Sequence, residues 1–133
     1  MMRRRCPTAR LEGRAVLAGY RFMIMRAGYA TIVPTPGSRV HGILWWLGSR
    51  DLAALNAYER LDCGLYRAVM LPVVADGQRR AALVFVATSR VRGRPRSGYM
   101  ELVLAAAREV ALPPDYVRSL ARHQFDGARR DDE

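Results

Sequence analysis

The sequence predicts one α+β domain. Its first two-thirds is a series of short β-rich runs punctuated by Gly and Pro. One Ala/Leu-rich stretch without Gly or Pro interrupts them. The last third carries two helix-start signals, at Ser97 and at Pro113-Pro114-Asp115. Strands at this spacing suggest a barrel or a strongly curved sheet.

The first candidate strand is Leu11–Leu17, ended by Ala18-Gly19. Tyr20–Met25 is largely apolar and closes at Ala27-Gly28. Tyr29–Val33 is aromatic and β-branched, and Pro34-Thr35-Pro36-Gly37 is expected to stop it. Arg39–Leu47 starts a new run. Then the pattern becomes helical over 50–59, with Ser49 as the expected N-cap and Asp51 near the positive end of the dipole. Strands resume at Tyr66–Val74 and Arg79–Ala87, and Asp76-Gly77 between them signals a tight hairpin. Arg90–Arg96 is a basic loop. Ser97 is expected to cap a helix over roughly Gly98–Val110, and a third helix runs from Pro114 to about Arg122. Residues 1–126 read as the domain and 127–133 as a charged, frayed tail.

Composition narrows the class. A chain of 133 residues that is 50% hydrophobic can bury a core, which excludes a disordered tail. The net charge of +10 comes from arginine alone, since there is no Lys. Nine of the 22 arginines lie in residues 1–50 beside one acid, Glu12, so the excess sits there. Such a field attracts anions, and the basic first half with Arg90–Arg96 is the only basis for a nucleic-acid reading. Nucleic acid is nevertheless not expected as a partner. No stacking platform, helix-turn-helix or zinc-ligand spacing accompanies the charge.

Cys6 and Cys63 make no framework, and His41 and His123 are far apart, so no metal is expected. No apolar segment follows the arginines at the start, and arginines break every long apolar run. Neither a signal peptide nor a membrane span is expected, and the cytoplasm is the expected compartment.

Glu59 is the residue with chemical leverage. Leu52, Leu55 and Glu59 fall at i, i+3 and i+7 and share one helix stripe. If the leucines face the core, the carboxylate points inward too, at the negative end of the helix dipole. Burial and dipole both disfavour its charge, which suits acid–base work near neutral pH. The plainer alternative is a helix-end Glu that reaches solvent or pairs with an Arg.

The stretch Asp51-Leu-Ala-Ala-Leu-Asn-Ala-Tyr-Glu59, followed by Gly64-Leu65-Tyr66-Arg67, resembles the signature of the gamma-glutamylcyclotransferase family. Further segments resemble it in family order. They are Cys6-Pro-x-Ala9 with Gly13-Arg14-Ala15 and Gly19-Tyr20-Arg21; Gly28 to Pro34 with Pro36-Gly37-Ser38 and Val40-x-Gly42-Ile-Leu44; and Ser97-Gly-Tyr99 with Ala105–Glu109 and Leu112-Pro-x-x-Tyr116. The resemblance implies a small mixed β-barrel with flanking helices. It implies cyclisation of a small γ-glutamyl compound to 5-oxoproline with release of an amine or amino acid, without a cofactor. It puts the catalytic glutamate at Glu59 and pocket tyrosines at Tyr66 and Tyr99, with Phe85 where a further tyrosine is expected. Against the family pattern, a first strand and its Tyr-Gly-Ser-Asn loop are missing, and Arg60 stands where Gly is usual. A barrel short of one strand exposes edges through which a homodimer could form. The same departure leaves an alternative: a catalytically impaired relative that binds a small ligand or a protein.

Overall fold

A computed structural model describes residues 9–51, 53 and 64–132, with side chains through Gln124. Strands β1 (Arg10–Ile24), β2 (Ala30–Trp46), β3 (Tyr66–Ala75) and β4 (Gln78–Ala87) precede helices α1 (Tyr99–Glu109) and α2 (Pro114–Asp132). The strands form one sheet in the order β2-β1-β3-β4. The α+β class and the flanking helices hold. The sheet is antiparallel throughout rather than mixed, and among the described residues it is open rather than closed into a barrel. Its edges are β2 and β4, and β1 meets β3 only near Val16, opposite Val74.

The two long strands differ from the four short ones expected. Ala18 pairs with Arg39 and Tyr20 with Pro34, so Gly19 faces the four residues 35–38 across one bulge. Gly19 takes φ 83°, which a side chain would resist. The expected stop at Ala18-Gly19 and the expected stop at Pro34–Gly37 are therefore the two sides of one bend. Pro34 and Pro36 are tolerated because β2 is an edge strand and needs no neighbour on its outer side. The β3–β4 hairpin forms as the sequence predicts. Ala75 pairs with Gln78, and Asp76 and Gly77 both take positive φ, the geometry of a two-residue turn.

Two helix starts differ from expectation. Ser49, Arg50, Asp51 and Ala53 are helical, and Asp51 Oδ2 accepts from the Gly48 N–H at 3.1 Å. Gly48, not Ser49, is thus the cap residue, with Asp51 reaching back from the third position as in a capping box. At α1 the cap position is Gly98 at φ 78°, with no side-chain cap bond, so Ser97 does not cap. After α1, Ala111 turns left-handed and Leu112 N–H bonds back to Ala107 O at 3.0 Å, which ends the helix without a glycine. Pro114 opens α2, which continues past Arg122 to Asp132.

The helices cover the end of β1. Met100, Leu104 and Ala107 form an i, i+4, i+7 stripe that packs with Leu112 and Leu120 on Ile24. Phe22 meets His123 edge-on at 4.8 Å, and Gln124 donates to Glu101, joining α2 to α1. Arg14 donates to Ala111 O at 2.9 Å, a cation placed near the negative end of α1. Ala15, Leu17, Val73 and Ala75 form a second cluster on the sheet, and Met23, Met25, Tyr66 and Ala87 a third at its other end.

Residues after β4 return as a strap across the β1–β2 turn. Arg92 bridges to Met25, Gly93 N–H bonds to Ile24 O at 2.9 Å, and Arg96 N–H to Gly28 O at 3.1 Å. Contact is close at Gly28, which sits at φ 93°. A Cβ there would meet Arg96 Cγ at 2.7 Å.

Two outcomes follow from this packing. Gly28→Ala is expected to cost about 1–2 kcal/mol for the left-handed backbone alone, with the Arg96 clash in addition. Thermal melts should show a Tm lower by several degrees, whereas an unchanged Tm would contradict the close contact. The second concerns His41, whose ring lies 4.8 Å from that of Tyr116. Burial, with Arg39 nearby, lowers its pKa below the ordinary 6.5. Burial likewise pushes the Tyr116 phenol up, opposed by the His41 backbone hydrogen bond. The fold thus favours neutral His41. That stability is present above pH 6.5 and is lost as pH falls through the lowered value. Between pH 7.5 and 5, Tm should fall more steeply for the wild type than for His41→Phe; parallel curves would remove His41 as the cause.

Candidate functional site

The curved sheet lines a half-open cavity of about 1240 Å³ between β2 and β4. Its walls are mainly apolar, among them Leu17, Ile32, Leu44, Trp45, Val73 and Phe85. Its two ends differ. At one, Glu12 and Arg80 form an ion pair at 3.6 Å and neutralise each other. At the other, three tyrosines gather: Tyr29, Tyr66 and Tyr99.

The tyrosine end is built around the Ala30 peptide. Tyr66 Oη donates to Ala30 O at 3.0 Å, and Ala30 N donates to Tyr99 Oη at 3.1 Å. Tyr66 stands at the start of β3 and is buried. Tyr99 is the first residue of α1. Two side chains from distant parts of the chain thus satisfy both backbone groups of one edge-strand residue. Next to it, buried Thr31 accepts from the Ala87 N–H through Oγ1 at 2.9 Å, which ties the end of β4 to the start of β2. Tyr29 lies edge-on to Tyr99 at 5.5 Å.

The two tyrosines singled out by the sequence therefore meet in one place. Phe85 also lines this cavity. Glu59, Arg60, Cys6 and Cys63 lie outside the described residues. Three further groups at this end had no signal strong enough to single them out. Tyr29 and Thr31 read as ordinary strand residues, and Arg96 read as part of a basic loop. Arg96 stacks over the Tyr29 ring at 5.0 Å, and its Nε donates to Ala27 O at 3.0 Å. Among the described residues no cluster of three or more His, Cys, Asp or Glu could hold a metal ion. Nor is any described helix long and apolar enough to cross a membrane.

Comparison with known proteins gives a consistent picture. Gamma-glutamylcyclotransferase from Mus musculus is 26% identical over 94 residues, covering 70% of this chain and 50% of the relative. The protein of the same name from Homo sapiens is 27% identical over 94 residues, with the same coverage of each chain. The chain thus spans about half the length of these curated relatives. A solved gamma-glutamyl cyclotransferase superposes with a TM-score of 0.83 at 22% identity, covering 90% of this chain and 78% of the other. YkqA from Bacillus subtilis superposes with a TM-score of 0.77 at 26% identity, covering 86% of this chain and 44% of the other. The family model described as the AIG2-like family matches residues 39–120. With that match over more than half its length, the chain belongs to the AIG2-like family.

Proposed function

We propose that this protein is a gamma-glutamylcyclotransferase-like enzyme that converts a γ-glutamyl amine or amino acid into 5-oxoproline and the free amine. The observation that carries this reading is the convergence of Tyr66 and Tyr99 on the Ala30 peptide at one end of an apolar cavity. The named relatives support it.

The substrate's α-amine attacks its own γ-carbonyl carbon. One C–N bond forms within the five-membered ring, the γ-amide C–N bond breaks, and no water is consumed. Because nucleophile and electrophile share one molecule, holding it folded supplies much of the acceleration. The remaining task is proton transfer, from the α-ammonium to the departing amine. A single carboxylate can perform both steps, and Glu59 is the residue we assign to it. Tyr99, whose oxygen accepts from the Ala30 N–H, orients that carboxylate or holds a substrate carboxylate with its phenol proton, while Tyr66, whose proton goes to Ala30 O, offers the substrate an accepting oxygen, suited to the α-ammonium. The step as written uses neither metal, covalent nucleophile nor organic cofactor. The cytoplasm, where Cys6 and Cys63 stay reduced, is the compartment we assign.

A second reading has one observation in its favour. Phe85 lines the cavity with a bare ring where the resemblance expects a phenol, so the site has one donor fewer. On this reading the protein binds a γ-glutamyl ligand without turning it over.

Glu59→Gln is expected to reduce 5-oxoproline formation by about 10²–10⁴-fold while leaving the thermal melt of the domain unchanged. A variant with the wild-type rate would remove Glu59 from the chemistry. Ligand binding by a wild type that forms no 5-oxoproline would favour the second reading. Tyr99→Phe takes away the acceptor of the Ala30 N–H, which should cost about 1–3 kcal/mol of stability and raise KM. A stable variant with unaltered kinetics would place Tyr99 outside the site.

A further inference from the structure

Arg96 sits at the rim of the tyrosine end of the cavity and is exposed. Its backbone N–H and its Nε are both committed to the β1–β2 turn, bonding Gly28 O at 3.1 Å and Ala27 O at 3.0 Å. Its guanidinium lies 5.0 Å from the centre of the Tyr29 ring. The side chain is thus fixed in direction, and fixing an arginine in advance removes much of the entropy that ligand binding would otherwise cost. The other cation in the described lining, Arg80, is paired with Glu12. Among the described residues Arg96 is the cation of this cavity without a carboxylate partner, with its two terminal amino groups left to form a planar fork.

A planar, pre-set guanidinium at the rim of an otherwise apolar pocket fits a carboxylate. Its depth decides which carboxylate. Tyr66 is only 7% exposed and marks the inner end, whereas Arg96 is at the surface. On the cyclisation reading above, on which this inference rests, the glutamyl half carries the reacting atoms and belongs beside Tyr66 and Tyr99. The part beyond the amide points back to the rim, through which it must leave. The geometry points to Arg96 as a specificity-determining residue that pairs with a carboxylate on the leaving group. On this assignment Arg96 is the group by which the site tells a leaving group that carries a carboxylate from one that does not.

The test compares γ-glutamyl-L-alanine with γ-glutamyl-ethylamine, which differ only in the leaving-group carboxylate. The full chain should prefer the alanine compound in kcat/KM by about tenfold. Arg96→Gln should bring that ratio towards one, and Arg96→Lys should restore part of it. A purely structural role in holding the turn would slow both substrates together, as would pairing with the α-carboxylate that both contain. Equal loss for both compounds in Arg96→Gln, or no preference in the wild type, overturns the Arg96 assignment and leaves the cyclisation reading intact. A wild type that forms 5-oxoproline from neither compound overturns the cyclisation reading and this inference with it.

Discussion

The Ala30 peptide is the point on which the sheet, the first helix and the cavity depend. Ala30 opens a strand that lies at the sheet edge among the described residues, so its outward N–H and C=O face no described strand. Leaving such groups unpaired in a partly buried place costs about 1–3 kcal/mol each. Here Tyr99 accepts from the N–H and Tyr66 donates to the carbonyl, so two phenols satisfy both groups. Thr31 extends the same arrangement to Ala87. These three side-chain bonds draw the start of β2, the start of β3, the end of β4 and the start of α1 together. The curled sheet forms the walls of the half-open cavity.

The strap after β4 secures this arrangement from outside. It runs through Arg92, Gly93 and Arg96, and each is held against the β1–β2 turn by backbone or side-chain contacts. Close approach requires glycine on both sides. A Cβ at Gly93 would lie 2.4 Å from Met25 O, and one at Gly28 would strike Arg96. The strap delivers Tyr99 to the site at the first turn of α1, and the stripe of Met100, Leu104 and Ala107 behind it anchors that helix on Ile24. Local backbone fit and core packing thus cooperate to place one hydroxyl.

Much of the fold was legible in the sequence because it rests on local rules. Asp76-Gly77 favours positive φ at two consecutive residues, and the hairpin register follows from that. Pro114 and the apolar stripe of α1 likewise act within a turn or two. The misread places have a common cause. Gly19 and Pro34–Gly37 each look like strand ends when read separately, yet Ala18 opposite Arg39 and Tyr20 opposite Pro34 make them one bend in a continuous pair. Pairing across the sheet, invisible to a local reading, decides whether a breaker ends a strand or bends it. The helix caps were displaced by one residue for a similar reason: Gly48 and Gly98 could serve because Asp51 and the preceding strap supply the contacts.

The sequence by itself determined the α+β class, the hairpin, the helices and the two tyrosines worth watching, since each depends on residues near one another in the chain or on ordered motifs along it. Only the tertiary structure decided that the sheet is open among the described residues, that Tyr66 and Tyr99 share one peptide, and that Arg96 leaves a basic loop to stand over Tyr29. Those facts involve partners 36 and 69 residues apart. No periodicity or propensity encodes such a distance; it is set by how the strands curve and by which buried polar groups must find a partner.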